Sequence, residues 1–184
     1  IISRQQQMLR LDAEITDDLS DEDAQSFLQT LLTSLEKDPP DILILEDYNK
    51  GVLSKPVIDK ILEKCRQSGI DTCVDPKLKN FLSYRNSTIF KPNLKEVCEG
   101  LKISVPAVNE EVLNGIHEKL ETALNHQVTF ITLSEHGVFY RQGSGGGILP
   151  SHRRNISDVS GAGDTVIATA AVIWALSKDS RLMA

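Results

Sequence analysis

The octapeptide Asp158-Val-Ser-Gly-Ala-Gly-Asp-Thr165 brings together the parts needed to receive and move an anionic group, and it runs straight into an Ala-rich helical stretch. Gly161, Ala162 and Gly163 thereby place small residues at a helix N-terminus. The first turn of a helix leaves backbone N–H groups unpaired, and these donors together with the helix dipole favour an anion. Glycines allow a phosphate to approach the backbone closely. Asp164 in that place can accept a proton from an attacking hydroxyl. An ordinary aspartate is a weak base at neutral pH. That matters little for phosphoryl transfer, which depends mainly on alignment and charge stabilisation. The neighbouring backbone donors would neutralise charge developing on the transferred group. The competing reading of Asp164 is a simple helix N-cap.

Asn93 and Glu96 form a second constellation, three apart at the start of a helix after Pro92. The spacing puts both on one side of the first turn. An amide oxygen and a carboxylate there suit magnesium held through water, since that ion takes few protein oxygens. The same pair also makes a capping box, with Asn93 as N-cap and Glu96 at N3. Three further loops follow apolar strand patterns: Asp47-Tyr-Asn-Lys-Gly51, Asp75-Pro-Lys77 and Ser134-Glu-His-Gly137. In an open α/β sheet the C-terminal edge of the strands is where ligands bind.

Strand and helix patterns alternate, which predicts βαβ units and a mainly parallel sheet flanked by helices. Ser20 is the expected N-cap of a helix running to about Lys37, ended by Pro39 and Pro40. Strands are expected at Asp41 to Glu46, Ile70 to Val74, Ser87 to Phe90, Val128 to Leu133 and Gly137 to Arg141. Between the first two, Ser54 should cap a helix whose Val57, Ile58, Ile61, Leu62 and Cys65 form one stripe, closed by Gly69. Helices are expected from about Glu110 to Leu124 and from near Gly163 to about Ser177. The Gly-rich stretch Gly143 to Gly147 lacks the Lys-Ser/Thr ending of a P-loop, so a hairpin turn is expected there. The chain has no internal repeat or linker, and residues 1–184 are expected to form a single, partial domain.

The bulk numbers narrow the function. With 184 residues, 40% hydrophobic and 25% charged, the chain has the composition of a soluble globular domain. A formal charge of −6 argues against a nucleic-acid backbone as partner. No apolar run approaches the roughly 20 residues of a membrane-spanning helix, and Ile1 to Arg10 shows no secretory pattern. Cys65, Cys73 and Cys98 are odd in number and lack C-x-x-C spacing, so reduced thiols and a cytoplasmic location are expected. The four histidines, His117, His126, His136 and His152, have no metal-ligand spacing.

The octapeptide resembles the C-terminal signature of the ribokinase-like (PfkB) sugar kinases, and Asn93-Leu94-Lys95-Glu96 resembles their Asn-x-x-Glu motif. Finer features are similar to the branch that phosphorylates D-glycero-D-manno-heptose 7-phosphate for bacterial lipopolysaccharide. They are Ile2 to Gln7 with Arg10-Leu-Asp12, Asp47 to Gly51, Val74-Asp-Pro-Lys77 and Phe90-Lys-Pro-Asn93. The resemblance implies a three-layer, Rossmann-like α/β fold. It also implies transfer of the γ-phosphoryl group of ATP, with Mg2+, to the anomeric hydroxyl of that sugar phosphate. Asp164 would take the proton and Gly161, Ala162 and Gly163 would cradle the moving group. Asn93, Leu94, Lys95 and Glu96 would contact ATP and organise magnesium, and Thr132, Ser134 and Gly137 would lie along the nucleotide.

Asp47 is a candidate sugar contact on this resemblance, and Lys50, Lys77 and Lys91 are candidates for phosphate contacts, each with an ordinary solvated loop lysine as the alternative. Glu46 departs from the branch, which commonly has a small polar residue before Asp-Tyr. Family members also begin with a Gly-Gly sugar-binding region and a lid of strands, and continue past the helix after Asp164. The expectation is therefore an internal fragment lacking lid and C-terminal segments, with little turnover on its own and a possible homodimer in the full-length protein. Another sugar or a nucleoside as substrate, or a non-catalytic binding or dimerisation module, are the competing readings.

Overall fold

The computed structural model describes residues 2–3, 6–7, 14–151 and 161–184. Of the resemblance motifs and the octapeptide, residues 4–5, 10–12 and 158–160 lie outside the described residues. Ile2–Ser3 (β1) and Gln6–Gln7 (β2) pair as a small antiparallel ladder separate from the main sheet, an element the sequence pattern did not suggest.

The first helix, α1 (Asp21–Lys37), starts as expected: Ser20 Oγ accepts the Asp23 N–H, and three acids sit in the positive first turn. Then follow β3 (Ile42–Glu46), α2 (Lys55–Ser68) and β4 (Asp71–Asp75). The α2 stripe Val57, Ile58, Ile61, Leu62 and Cys65 is buried throughout, and Gly69 ends the helix in the left-handed region at φ 69. Ser54 does occupy the N-cap, but its side chain makes no hydrogen bond to the helix. Next come a two-residue strand β5 (Ile89–Phe90), α3 (Leu94–Leu101), α4 (Glu110–Leu124) and β6 (Val128–Thr132). The chain closes with the hairpin β7 (Val138–Gln142) and β8 (Gly145–Leu149), then α5 (Ala162–Ser177) and α6 (Ser180–Met183). The glycines at 145–147 thus belong to a strand, and only Gly143 and Ser144 are left for the turn. Extended pairing with β7 satisfies their backbone groups, which a turn of five residues would leave unpaired.

The six strands lie in the order β3-β4-β5-β6-β7-β8, parallel from β3 to β6 and antiparallel in the last two pairings. Side chains alternate between two cores, as the strand period of two requires. Leu45, Val74, Phe90 and Ile131 face the helices α1, α2 and α4. Cys73, Ile89, Val128 and Phe130 face α5 and α6 through Ile167, Ala170 and Trp174. This is the expected three-layer α/β arrangement. Among the described residues no helix is long and apolar enough to cross a membrane.

Helix α5 lies across β3 and β4, and its far end is pinned. Asp71, the first residue of β4, accepts hydrogen bonds from Trp174 Nε1 at 2.8 Å, Lys178 Nζ at 2.6 Å and Thr88 Oγ1 at 3.1 Å. Burial alone would raise the Asp71 carboxyl, but these donors outweigh it and hold it below the usual range. Sixteen helical residues span about 24 Å, so fixing Trp174 at one end of the strands delivers the α5 N-terminus to the other.

Behind β6, the Thr129 hydroxyl lies 2.7 Å from His117 Nδ1 and 2.6 Å from His126 Nε2. A hydroxyl has one proton to give, so one ring donates to it and the other accepts from it. Protonating His126 would leave a buried N–H at Nδ1, which has no partner. Burial, aided by the nearby His117, pushes His126 down to about 4. The unfolded chain binds this proton near pH 6.5 and the folded chain only near pH 4, so stability is complete above the first value and is lost on the way down to the second. We expect this residue to cost about 2 kcal/mol of unfolding free energy between pH 7 and pH 5. His126→Phe should flatten that part of the profile in urea unfolding measured at both pH values.

Candidate active site at the strand ends

Parallel pairing brings the C-terminal ends of β3 to β6 to one edge, and the register aligns the acids there. Glu46 is the partner of Asp75 across β3 and β4. Lys91 follows β5 directly, and its backbone N–H donates to the Val74 carbonyl at 2.8 Å. Asn93 bridges to Thr132 at the end of β6. From the opposite side the α5 N-terminus contributes Gly163 and Asp164. Together these residues line a cleft of about 150 Å³, with Tyr48 and Lys77 at its walls.

A ladder of alternating charge crosses the cleft floor. Lys91 is only 3% exposed, and its Nζ lies 3.0 Å from Asp75 Oδ2. Lys77 sits 3.8 Å from Asp75 Oδ1 and donates a hydrogen bond to Glu96 Oε1. Burial works against the Lys77 ammonium, yet the Glu96 hydrogen bond and the charges of Asp75 and Glu96 raise its pKa overall. The other Glu96 oxygen accepts the Asn93 N–H at 2.8 Å, and Asn93 Oδ1 accepts the Glu96 N–H at 2.8 Å. The capping box is therefore made, and α3 starts where it does because of it.

Gly161 is the N-cap of α5, in the left-handed region at φ 73, and no side chain among the described residues caps the helix. Asp164 is in the first turn and is not the cap, so among the described residues no side chain takes up the first-turn N–H groups. Gly163 stands over Asp75: among the described residues a Cβ there would meet only Asp75 Oδ2, at 3.8 Å, an ordinary contact distance. The Tyr48 hydroxyl donates to Asp164 Oδ1 at 2.9 Å. That bond, ahead of burial and the surrounding acids, pushes the phenol pKa up. Glu46 is also pushed up, by burial first and then by the charges of Asp164 and Asp75, against the pull of Lys91 and Lys77.

Asp47 borders the cleft but aims its carboxylate the other way. Its Oδ2 accepts from Tyr84 at 2.8 Å and Asn80 at 3.3 Å, and its Oδ1 accepts the Asn49 N–H at 2.8 Å. Lys50 is outside the cleft, paired with Glu14 beside an apolar groove. Lys95 is largely solvated near Glu99, and Leu94 packs against the core. Ser134 and Gly137 shape the turn after Thr132 without lining the cleft. At Gly137, with φ 93, a Cβ would run into the Leu149 carbonyl oxygen, so glycine is required there for the β8 approach.

Among the expected site residues, the cleft thus gathers Asp164, Gly163, Asn93, Thr132, Lys77, Lys91 and the backbone turn at Asp47. Asp75 and Tyr48 join them without having been singled out. The position of Asp75 at a strand end was a usable signal. Tyr48 meets Asp164 only because α5 crosses β3. Among the described residues no group of three or more His, Cys, Asp or Glu side chains is arranged to hold a metal. With both Glu96 oxygens engaged, the donor set fits a magnesium ion held mainly by water and phosphate oxygens, not one gripped by carboxylates.

The chain matches the pfkB family carbohydrate kinase description over residues 12–182. It is 37% identical over 169 residues to the Bifunctional protein HldE of Methylobacillus flagellatus, a match covering 92% of this chain and 34% of that protein. The Bifunctional protein HldE of Aliarcobacter butzleri is 35% identical over 179 residues, covering 97% and 36% respectively. The chain therefore spans about a third of the length of these curated relatives. Among solved structures, the tetrameric inhibited form of phosphofructokinase-2 from Escherichia coli superposes with a TM-score of 0.76 at 13% identity, covering 90% of this chain and 54% of that one. An ADP complex of Bacillus subtilis pyridoxal kinase gives 0.67 at 15% identity, covering 84% and 64%. These two likenesses concern the fold, which is the α/β ribokinase-like one. By the extent of the family match and the fold it shares, the chain belongs to the pfkB family of carbohydrate kinases.

Proposed function

We propose that this chain forms the phosphoryl-transfer centre of an ATP-dependent sugar kinase whose acceptor is the anomeric hydroxyl of D-glycero-D-manno-heptose 7-phosphate. The observation that carries the kinase reading is the meeting of a helix N-terminus, a carboxylate and two lysines in one cleft. The heptose assignment is finer. It rests on the motifs Asp47 to Gly51, Val74 to Lys77 and Phe90 to Asn93 together, and on the naming of the relatives.

On this reading Asp164 accepts the proton of the attacking hydroxyl through Oδ2, which takes no hydrogen bond from any described residue. The N–H groups from Gly161 to Gly163 hold the transferring group, and no side chain among the described residues competes for them. Lys91 cannot leave the floor, being buried against Asp75, so it contributes a fixed positive charge. Lys77 is half-exposed and can turn from Glu96 towards an incoming phosphate. Magnesium, when bound with ATP, would supply further positive charge between the phosphates. Asn93 and Glu96 would orient its waters, and Leu94, Lys95, Thr132, Ser134 and Gly137 would form the nucleotide side. The buried free thiols Cys65 and Cys73, pushed up to about 11 and about 12 by burial, suit a reducing cytoplasm.

ADP release by the full-length protein across a panel of sugar phosphates, free sugars and nucleosides tests the substrate. Clear preference for a substrate other than the heptose phosphate would reassign it. Asp164→Asn should lower turnover by about 10² to 10⁴-fold while nucleotide binding, followed by calorimetry, stays within a factor of about three. Lys77→Met should raise the KM of a phosphate-bearing substrate about tenfold, a change of about 1.4 kcal/mol, with the unfolding midpoint little altered. A KM at the wild-type value would remove Lys77 from the phosphate contacts.

A further inference from the structure

We infer that Tyr48 is a positioning residue for the reaction, holding Asp164 so that a single carboxylate oxygen faces the acceptor hydroxyl. The inference deepens the kinase reading and rests on it. Its starting point is a contact between residues 116 apart in sequence: the Tyr48 hydroxyl donates to Asp164 Oδ1 at 2.9 Å.

Asp164 is exposed and makes no other hydrogen bond among the described residues, so the phenol is its one tether. A carboxylate with one oxygen bound keeps its plane, and the free Oδ2 then points in a fixed direction. Transfer to a hydroxyl gains from such alignment before reaction. The donor is dependable, since a phenol is protonated throughout the neutral range. Glu46 is close enough for its charge to be felt by Asp164, and no described residue donates a hydrogen bond to its carboxylate. Two neighbouring carboxylates repel, so an untethered Asp164 would turn away from Glu46 and out of the cleft.

The tyrosine is itself held. Its ring is 53% exposed and has little packing to fix it, but the backbone on either side is clamped. Asp47 is locked by Tyr84, Asn80 and the Asn49 N–H. Gly51, at φ 82, lies so close to the Asp17 carbonyl that any Cβ would collide with it, and its own carbonyl accepts the Leu19 N–H at 3.1 Å. Strand alternation then does the rest: Asp47 faces the α2 side, while Glu46 and Tyr48 face α5. The buried Asp47 acts through Tyr48 and does not itself touch the reacting atoms.

The test uses the full-length protein with Tyr48→Phe, which removes one exposed oxygen and should leave the melting temperature unchanged. We expect kcat to fall about tenfold with both KM values within about twofold. A merely structural role would change both KM values along with kcat. An unchanged kcat, a fall in kcat matched by a change in KM, or a rise in kcat showing that the phenol competes with substrate, overturns the inference. Asp164→Asn run alongside separates the two levels. If it abolishes turnover while Tyr48→Phe is silent, only the positioning role fails; if it keeps turnover, the kinase reading of Asp164 fails as well.

Discussion

Parallel strands finish together, and in this chain that geometrical fact assembles the cleft. Residue pairs such as Glu46 and Asp75 would be a strand length apart in an antiparallel pair, yet here the register sets them side by side. The remaining wall must come from the layer above. Helix α5 supplies it because its C-terminal end is tied to Asp71 at the start of β4, through Trp174 and Lys178. One anchor at the start of a strand thus decides what stands above its end. Loosening Asp71 would move Asp164 without touching any group in the cleft.

The charges in the cleft are arranged so that each acid but one has a cation or a donor. Asp75 has Lys91 and Lys77, Glu96 has Lys77 and a backbone N–H, and Asp164 has the Tyr48 phenol. Glu46 is the exception among the described residues, and burial first, then the charges of Asp164 and Asp75, raises its pKa. A buried lysine such as Lys91 is tolerable only with a close partner, because removing it from water without one costs several kcal/mol. Asp75 is therefore a condition for Lys91 being where a phosphate could use it.

Much of this was legible in the sequence. The octapeptide marks the start of α5, the α2 stripe marks a core face, and apolar runs mark β3, β4 and β6. These signals are local, set by period and by turn chemistry. What was not legible depends on distance. Period-two alternation does not say which face a helix will cover, so Asp47 reads as a candidate sugar contact in the sequence, whereas Tyr84 and Asn80 claim its carboxylate in the fold. Tyr48 looked like a loop residue because its partner lies across the sheet, 116 residues on. The glycines at 145–147 suggested a turn because glycine is rare in strands, but β7 offered them a full set of backbone partners.

The Asn93–Glu96 pair shows why a structural and a functional reading need not compete. As a capping box it fixes the start of α3 and uses one oxygen of Glu96. That fixed carboxylate then presents its other oxygen to Lys77, and Lys77 reaches back towards Asp75. Without the box, Glu96 would be free to rotate and the charge ladder would lose its far end. Lys77 would then be held only by the 3.8 Å approach to Asp75, which Lys91 already occupies on its other oxygen. The cap is thus the part of the cleft that keeps its most movable cation within reach of a phosphate, and the same two residues serve the fold and the site.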